Sequence, residues 1–171
     1  MKKLELKNNE RVAVFAEIEA YLTGFNLSIV SRDVQRPWGG FFVINEAQAK
    51  QFAELFFPGV EISSLRISGK LSPKILIVEP GKRLSWQYHH RRAEIWRSLS
   101  GTVGVVTSTT DEEADTVILK PGQEIRLAQG QRHRLKGLED WGVLAEIWQH
   151  TDIQHPSDEN DIVRVQDDFG R

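Results

Sequence analysis

From residue 61 onward the chain is cut into short apolar runs by glycine and proline at regular intervals. Residues 74–78 (KILIV) end at Pro80-Gly81, and 84–88 (LSWQY) follow. Residues 94–99 (EIWRSL) end at Gly101, and 103–108 (VGVVTS) lead into the polar, acidic stretch 109–115, a predicted exposed loop. Residues 116–119 end at Pro121-Gly122; runs at 124–127, 132–135 and 141–148 complete the series. Such runs are the length of strands, and their punctuation predicts a sandwich or barrel. No long helices alternate with them, which excludes a doubly wound α/β sheet.

The first third reads differently. From Asn9 to about Phe25, apolar residues Val14, Phe15, Ile18, Tyr21, Leu22 and Phe25 recur at spacings of three and four, one face of an amphipathic helix. Asn8 or Asn9 is the expected N-cap and Gly24 the stop. A second, short helix is predicted from Glu46 to Phe57, ended by Pro58-Gly59. Between them, Arg36-Pro37-Trp38-Gly39-Gly40 reads as a turn feeding an aromatic strand at 41–44. This divides the chain into a helical extension with the start of a barrel (1–60) and the barrel with a C-terminal arm (61–171), one domain overall. Residues 161–164 (DIVR) are read as a last strand or an extended arm.

Composition narrows the function. With 171 residues the chain buries roughly two thirds of its unfolded surface, enough for a core. It has no cysteine, so a metal here must be held by nitrogen and oxygen. Twenty-four acids against 22 bases leave a net charge of −2, which argues against nucleic acid as a partner. No apolar run approaches the ~20 residues of a membrane helix, and the N-terminus lacks a signal-peptide core, so a cytoplasmic location is expected.

Of the five histidines, three stand in suggestive places. In an extended run Gln87 and His89 share one face and His90 takes the other. Glu94 follows five residues after His89, and His133 comes just after Gly130. One amide oxygen, two imidazoles and one carboxylate are a set that a first-row divalent ion accepts: Zn, Mn, Fe, Co or Ni. A single strand histidine is more often structural than a ligand; the combination carries the argument. His150 and His155 lie in polar sequence and are expected in solvent.

These motifs resemble those of the cupin superfamily, in particular the C-terminal domain of type II mannose-6-phosphate isomerases. The matching segments, in order, are Arg36-Pro37-Trp38-Gly39, the run 74–81 (KILIVEPG), the run 84–96 (LSWQYHHRRAEIW) and the run 161–171 (DIVRVQDDFGR). The resemblance spans roughly residues 32–171. It implies a mainly β fold, a cupin (double-stranded β-helix, or jelly-roll) barrel with an N-terminal helical extension. It places Gln87, His89, Glu94 and His133 on the family's metal positions. Arg92 matches the arginine before the metal glutamate, and Arg164 and Arg171 match C-terminal arginines. Two positions depart from the pattern: Arg91 stands at the second histidine of the usual His-x-His pair, and Ala128 replaces the proline before the second-motif glycine. The Gly-rich nucleotide-binding segment of bifunctional members is absent from this sequence, so GDP-mannose synthesis is not expected of it.

The implied activity is metal-dependent aldose–ketose isomerisation of a sugar phosphate, or a related free sugar, through a cis-enediol. Arg92 and Arg164 are the expected catalytic cations; Arg36, Trp38, Lys74 and Arg171 are expected to bind substrate. Trp38 or Trp96 would stack on the sugar, while Trp86, Trp96, Trp141 and Trp148 are expected mostly in the barrel core. The expected assembly is a homodimer. Two other readings stay open on sequence: a non-catalytic sugar-binding cupin, and a metal-dependent oxygenase or decarboxylase.

Overall fold

The alternation of side chains along three central strands organises the molecule. A computed structural model describes residues 2–65 and 69–170. The chain begins with helix α1 (Arg11–Thr23) and a hairpin of β1 (Ile29–Arg36) and β2 (Gly39–Ile44). A 3-10 turn (Glu46–Gln48) then leads into α2 (Ala49–Phe56) and the short α3 (Ile62–Leu65). The barrel strands are β3 (Lys74–Val78), β4 (Trp86–Tyr88), β5 (Arg92–Ser100), β6 (Val103–Ser108), β7 (Val117–Leu119), β8 (Glu124–Leu127), β9 (Arg132–Gly137), β10 (Gly142–His150) and β11 (Val163–Gln166). They form two antiparallel sheets, ordered β1-β2-β3-β10-β5-β8 and β11-β4-β9-β6-β7. This is the jelly-roll barrel that the motifs imply.

All five residues of β3 are buried, because the larger sheet is covered on both faces. Ile75 and Ile77 point outward into an apolar layer with Val14, Phe15, Ile18 and Leu22 of α1 and Phe52 and Phe56 of α2. Leu76 and Val78 point the other way, into the barrel with Trp38, Trp96 and Leu135. β10 repeats the rule, with Val143, Ala145 and Ile147 outward and Leu144 inward. Inward parity therefore also takes Lys74, Glu146 and Trp148, and it brings charge into the barrel.

The N-terminal helix is latched by Arg11. Its guanidinium donates to the carbonyl oxygens of Val34, Arg36 and Gly39 and pairs with Glu79 at 2.5 Å. Strand β2 approaches β3 so closely that a Cβ on Gly39, whose φ is +140°, would lie 2.0 Å from the Ile77 carbonyl oxygen. This explains the glycine after Arg36-Pro37-Trp38.

Several local expectations are corrected. The N-cap of α1 is Glu10, with no side-chain cap. Asn8 bonds Glu17 instead, and the Asn9 carbonyl accepts the Trp141 indole N–H. Strand β1 is missing from the sequence reading because its residues, none of them buried, carry no apolar alternation. Trp86, Trp96, Trp141 and Trp148 are all buried, as expected, though not in one layer: Trp96 and Trp148 face inward, whereas Trp141 packs edge-on against Phe15 in the outer layer. The tail resolves as a strand, β11, paired with β4.

Alanine at Gly39 should therefore cost more than about 3 kcal/mol, because β2 must move. Alanine at Gly122, also at positive φ (+88°) but in open space, should cost only about 1–2 kcal/mol. Urea denaturation of the two variants measures the difference.

Candidate metal centre

The site joins the two sheets. Gln87 on β4 lies directly across from His133 on β9. On the facing sheet Glu94 and Trp96 of β5 oppose Trp148 and Glu146 of β10. His89 follows β4 in the turn at 89–91. Asp161 holds that turn: its two carboxylate oxygens accept the backbone N–H groups of His90 and Arg91, each at 3.0 Å, and one also accepts the Ser157 hydroxyl at 2.6 Å. This explains the first residue of the DIVR segment, whose place in the site the sequence reading missed.

Both imidazoles are oriented by backbone carbonyls. His89 Nδ1 lies 2.6 Å from the Asp161 carbonyl oxygen, and His133 Nδ1 lies 3.0 Å from that of Gln131. A carbonyl only accepts, so each Nδ1 carries the proton and each Nε2 offers a lone pair. Both lone pairs face the same carboxylate: His89 Nε2 is 3.2 Å from Glu94 Oε1, and His133 Nε2 is 3.5 Å from Oε2. His133 Nε2 is buried and has no hydrogen-bond partner. One ligand atom from each of the three residues falls within 4.8 Å of the others, all buried. An unpartnered His133 lone pair that converges with His89 and Glu94 fits a cation. Gln87 lines the adjoining cavity, its Oε1 accepting the Ser85 hydroxyl at 2.5 Å.

Arg92 is the resident counter-charge. It donates from Nε to Glu94 at 2.7 Å and from Nη1 to Ser157 and the Asp158 carbonyl at 2.9 and 3.0 Å. Its guanidinium stacks 3.7 Å over the Trp148 ring, and Nη2 reaches His89 Nε2 at 3.2 Å. Burial works against the charge on Glu94, but its charged and hydrogen-bonding neighbours, Arg92 among them, outweigh it and hold the carboxyl well below its usual range. Burial also pushes the His133 imidazole down to about 4.

A cavity of about 430 Å3 opens beside this cluster. The expected substrate residues Arg36, Trp38, Lys74 and Arg164 line it, with Arg92 and Trp96. Arg164 lies across from Gln87 in the β11–β4 pair. Arg171 lies outside the described residues. His90 is exposed, as its parity predicts. His150, expected in solvent, is fully buried: its Nε2 meets Ser72 and its Nδ1 accepts the Ser157 N–H at 3.0 Å.

Glu146 was also missed. It is buried in the cavity wall, and its oxygens accept the indole N–H groups of Trp96 and Trp148 at 2.7 and 2.8 Å. Burial and the nearby charge of Glu94 push its carboxyl up to about 7. Its signal in the sequence is an acid at inward parity within the apolar run VLAEIW.

Fold and site together define a cupin barrel with a buried His/Glu cluster able to hold a metal ion. The sequence profile of the family described as mannose-6-phosphate isomerase, C-terminal, matches residues 44–167, and the chain belongs to that family. It is 32% identical over 127 residues to the alginate biosynthesis protein AlgA of Pseudomonas aeruginosa, covering 73% of this chain. It is 33% identical over 141 residues to the xanthan biosynthesis protein XanB of Xanthomonas campestris, covering 82%. A mannose-1-phosphate guanylyltransferase of Escherichia coli is 27% identical over 143 residues, covering 83%. The chain spans about a quarter (24%) of the length of each of these relatives. A solved structure of Bacillus subtilis oxalate decarboxylase superposes with a TM-score of 0.53 at 15% identity, over 78% of this chain and 30% of that one. At that identity only the fold is shared. Among the described residues no helix is long and apolar enough to cross a membrane.

The His133 shift has a measurable sign. Between pH 6.5 and about 4 the unfolded chain takes a proton that the native imidazole refuses. The stability this neutral ring confers is fully present above pH 6.5 and is lost as pH falls toward 4. Relative to His133→Gln, the metal-free protein should lose up to about 3 kcal/mol between pH 7 and pH 4. Glu146 shifts the opposite way, but it is common to both proteins and cancels in the difference. Urea titrations across that range check the result.

Proposed function

We propose that this protein is a metal-dependent aldose–ketose isomerase acting on a sugar phosphate of the mannose 6-phosphate type. The observation that carries the reading is the convergence of His89, Glu94 and His133 at one side of a cavity lined by arginine and lysine. Membership of the mannose-6-phosphate isomerase C-terminal family supports it.

Gln87, His89, Glu94 and His133 would hold one divalent ion, which when bound supplies Lewis-acid polarisation of the sugar carbonyl and its neighbouring hydroxyl. Arg92 keeps Glu94 ionised and fixes its rotamer through the Nε contact. Trp38 and Trp96 form apolar walls that exclude water and pack on the sugar. Glu146 is the carboxyl placed to take a proton from one substrate carbon and return it to the next. It faces the cavity, its oxygens are aimed by two indole N–H groups, and its pKa of about 7 keeps both forms populated. Arg36 and Arg164 complete the positive rim. A homodimer is part of the same proposal, and sedimentation measures it.

One observation favours a second reading, a non-catalytic sugar-binding barrel. Arg92 Nη2 already occupies the His89 lone pair that a metal needs.

Mn, Co, Ni or Zn should raise the melting temperature of the wild type, and His133→Gln should abolish the rise. The loaded protein should interconvert mannose 6-phosphate and fructose 6-phosphate. Metal bound without turnover on this or on free mannose leaves the binding reading in its place. Glu146→Gln should lower kcat by about 10²–10⁴-fold with metal content unchanged; full activity in that variant would remove Glu146 from the proton path.

A further inference from the structure

One ion pair at the cavity plays no part in the proton transfer described above. Lys74, the first residue of β3, points into the barrel, and its side chain is 7% exposed. Its ammonium lies 4.7 Å from the Phe41 ring centroid and 4.8 Å from that of Trp148. A cation so far from water needs an anion. Glu146 comes only to 4.0 Å, and the oxygen it offers already accepts the Trp148 indole. The direct partner is Glu159, whose side chain is 62% exposed.

The two halves of this pair are unequal. Lys74 cannot reach solvent by turning, whereas Glu159 already has most of its surface there. The segment carrying Glu159 is anchored elsewhere, through Ser157, the Asp158 carbonyl and Asp161. None of those bonds holds the Glu159 side chain. Its departure would therefore cost the segment little, provided another anion took its place on Lys74.

We infer that Lys74 is the cavity's binding residue for the phosphoryl group of the substrate, and that Glu159 is an intramolecular stand-in which that phosphoryl group displaces. This rests on the sugar-phosphate reading above and sharpens it. A neutral sugar leaves Lys74 needing Glu159 and gains nothing by displacing it. A phosphate ester replaces one carboxylate with a dianion and more acceptor oxygens. Arg36 and Arg164 line the same cavity and add to the positive field. The pair thus favours phosphorylated over free sugars, and it lowers affinity for weakly charged anions.

The test is calorimetric titration with inorganic phosphate of the protein as purified, metal content matched between variants. Glu159→Gln removes the competitor and should tighten phosphate binding roughly three- to tenfold. Lys74→Met, close in volume, should weaken it at least about tenfold, and adding Glu159→Gln to that variant should restore nothing. Phosphate affinity unchanged in Glu159→Gln, or still tightened by it when Lys74 is Met, overturns the inference. Circular dichroism verifies the fold of the Lys74 variant. If it does not fold, Lys74→Arg keeps the cation and must preserve the tightening by Glu159→Gln. Phosphate binding needs no turnover, so the two readings fail separately. Coupled binding without isomerisation overturns only the isomerase, and isomerisation of free mannose with uncoupled phosphate binding overturns only this inference.

Discussion

A barrel interior that contains both Arg92 and Glu94 must satisfy their charges without water, and much of the surrounding structure follows from that requirement. Removing one partner of a buried pair typically costs about 3–5 kcal/mol, because the other charge is left stranded. Here the guanidinium is shared among Glu94, Ser157, the Asp158 carbonyl and the face of Trp148. Two of those contacts come from the C-terminal segment and one from the neighbouring strand β10, so this side chain helps bind the tail to the barrel. Asp161 extends the arrangement by capping the turn that presents His89. The segment after residue 156 is therefore part of the site's wall rather than a free arm.

The helical layer serves the site indirectly. Because α1 and α2 cover the outer face of the larger sheet, β3, β5 and β10 are buried on both sides and cannot slip by one residue without exchanging Ile75 and Ile77 for Lys74 and Leu76. Register is thereby fixed for every inward side chain. Glu146, Glu94 and Lys74 hold their places in the cavity because the residues between them are fastened into the outer core. Glu146 and Glu94 also divide their roles by environment. Arg92 stabilises the charge on Glu94, while burial and the charge of Glu94 push Glu146 up to about 7 against the more distant Lys74 and Arg92.

Much of this was legible in the residues. The Gly and Pro punctuation marked the barrel strands, and parity placed Gln87 and His89 together with His90 opposite. The segments that resemble a known family brought Glu94 and His133 into the same set, and the structure puts His89, Glu94 and His133 within one sphere. What escaped notice depends on long-range partners. His150 reads as a polar terminus, yet Ser72 and Ser157 enclose it. β1 has no apolar alternation because only its pairing with β2 and the latch from Arg11 keep it extended. Glu159 looks like one more acid in a polar tail.

The sequence by itself determined the class of fold, the N/O character of any metal site and the family, because strand periodicity, the lack of cysteine and short motifs are local properties. Only the tertiary structure decided which charges meet. Lys74 precedes Glu146 and Glu159 by dozens of residues, and their contact arises from the pairing of β3 with β10 and the return of the tail. Burial then sets their chemistry: a carboxyl that would be ionised on a surface is pushed up to about 7 when it is enclosed beside a second carboxylate.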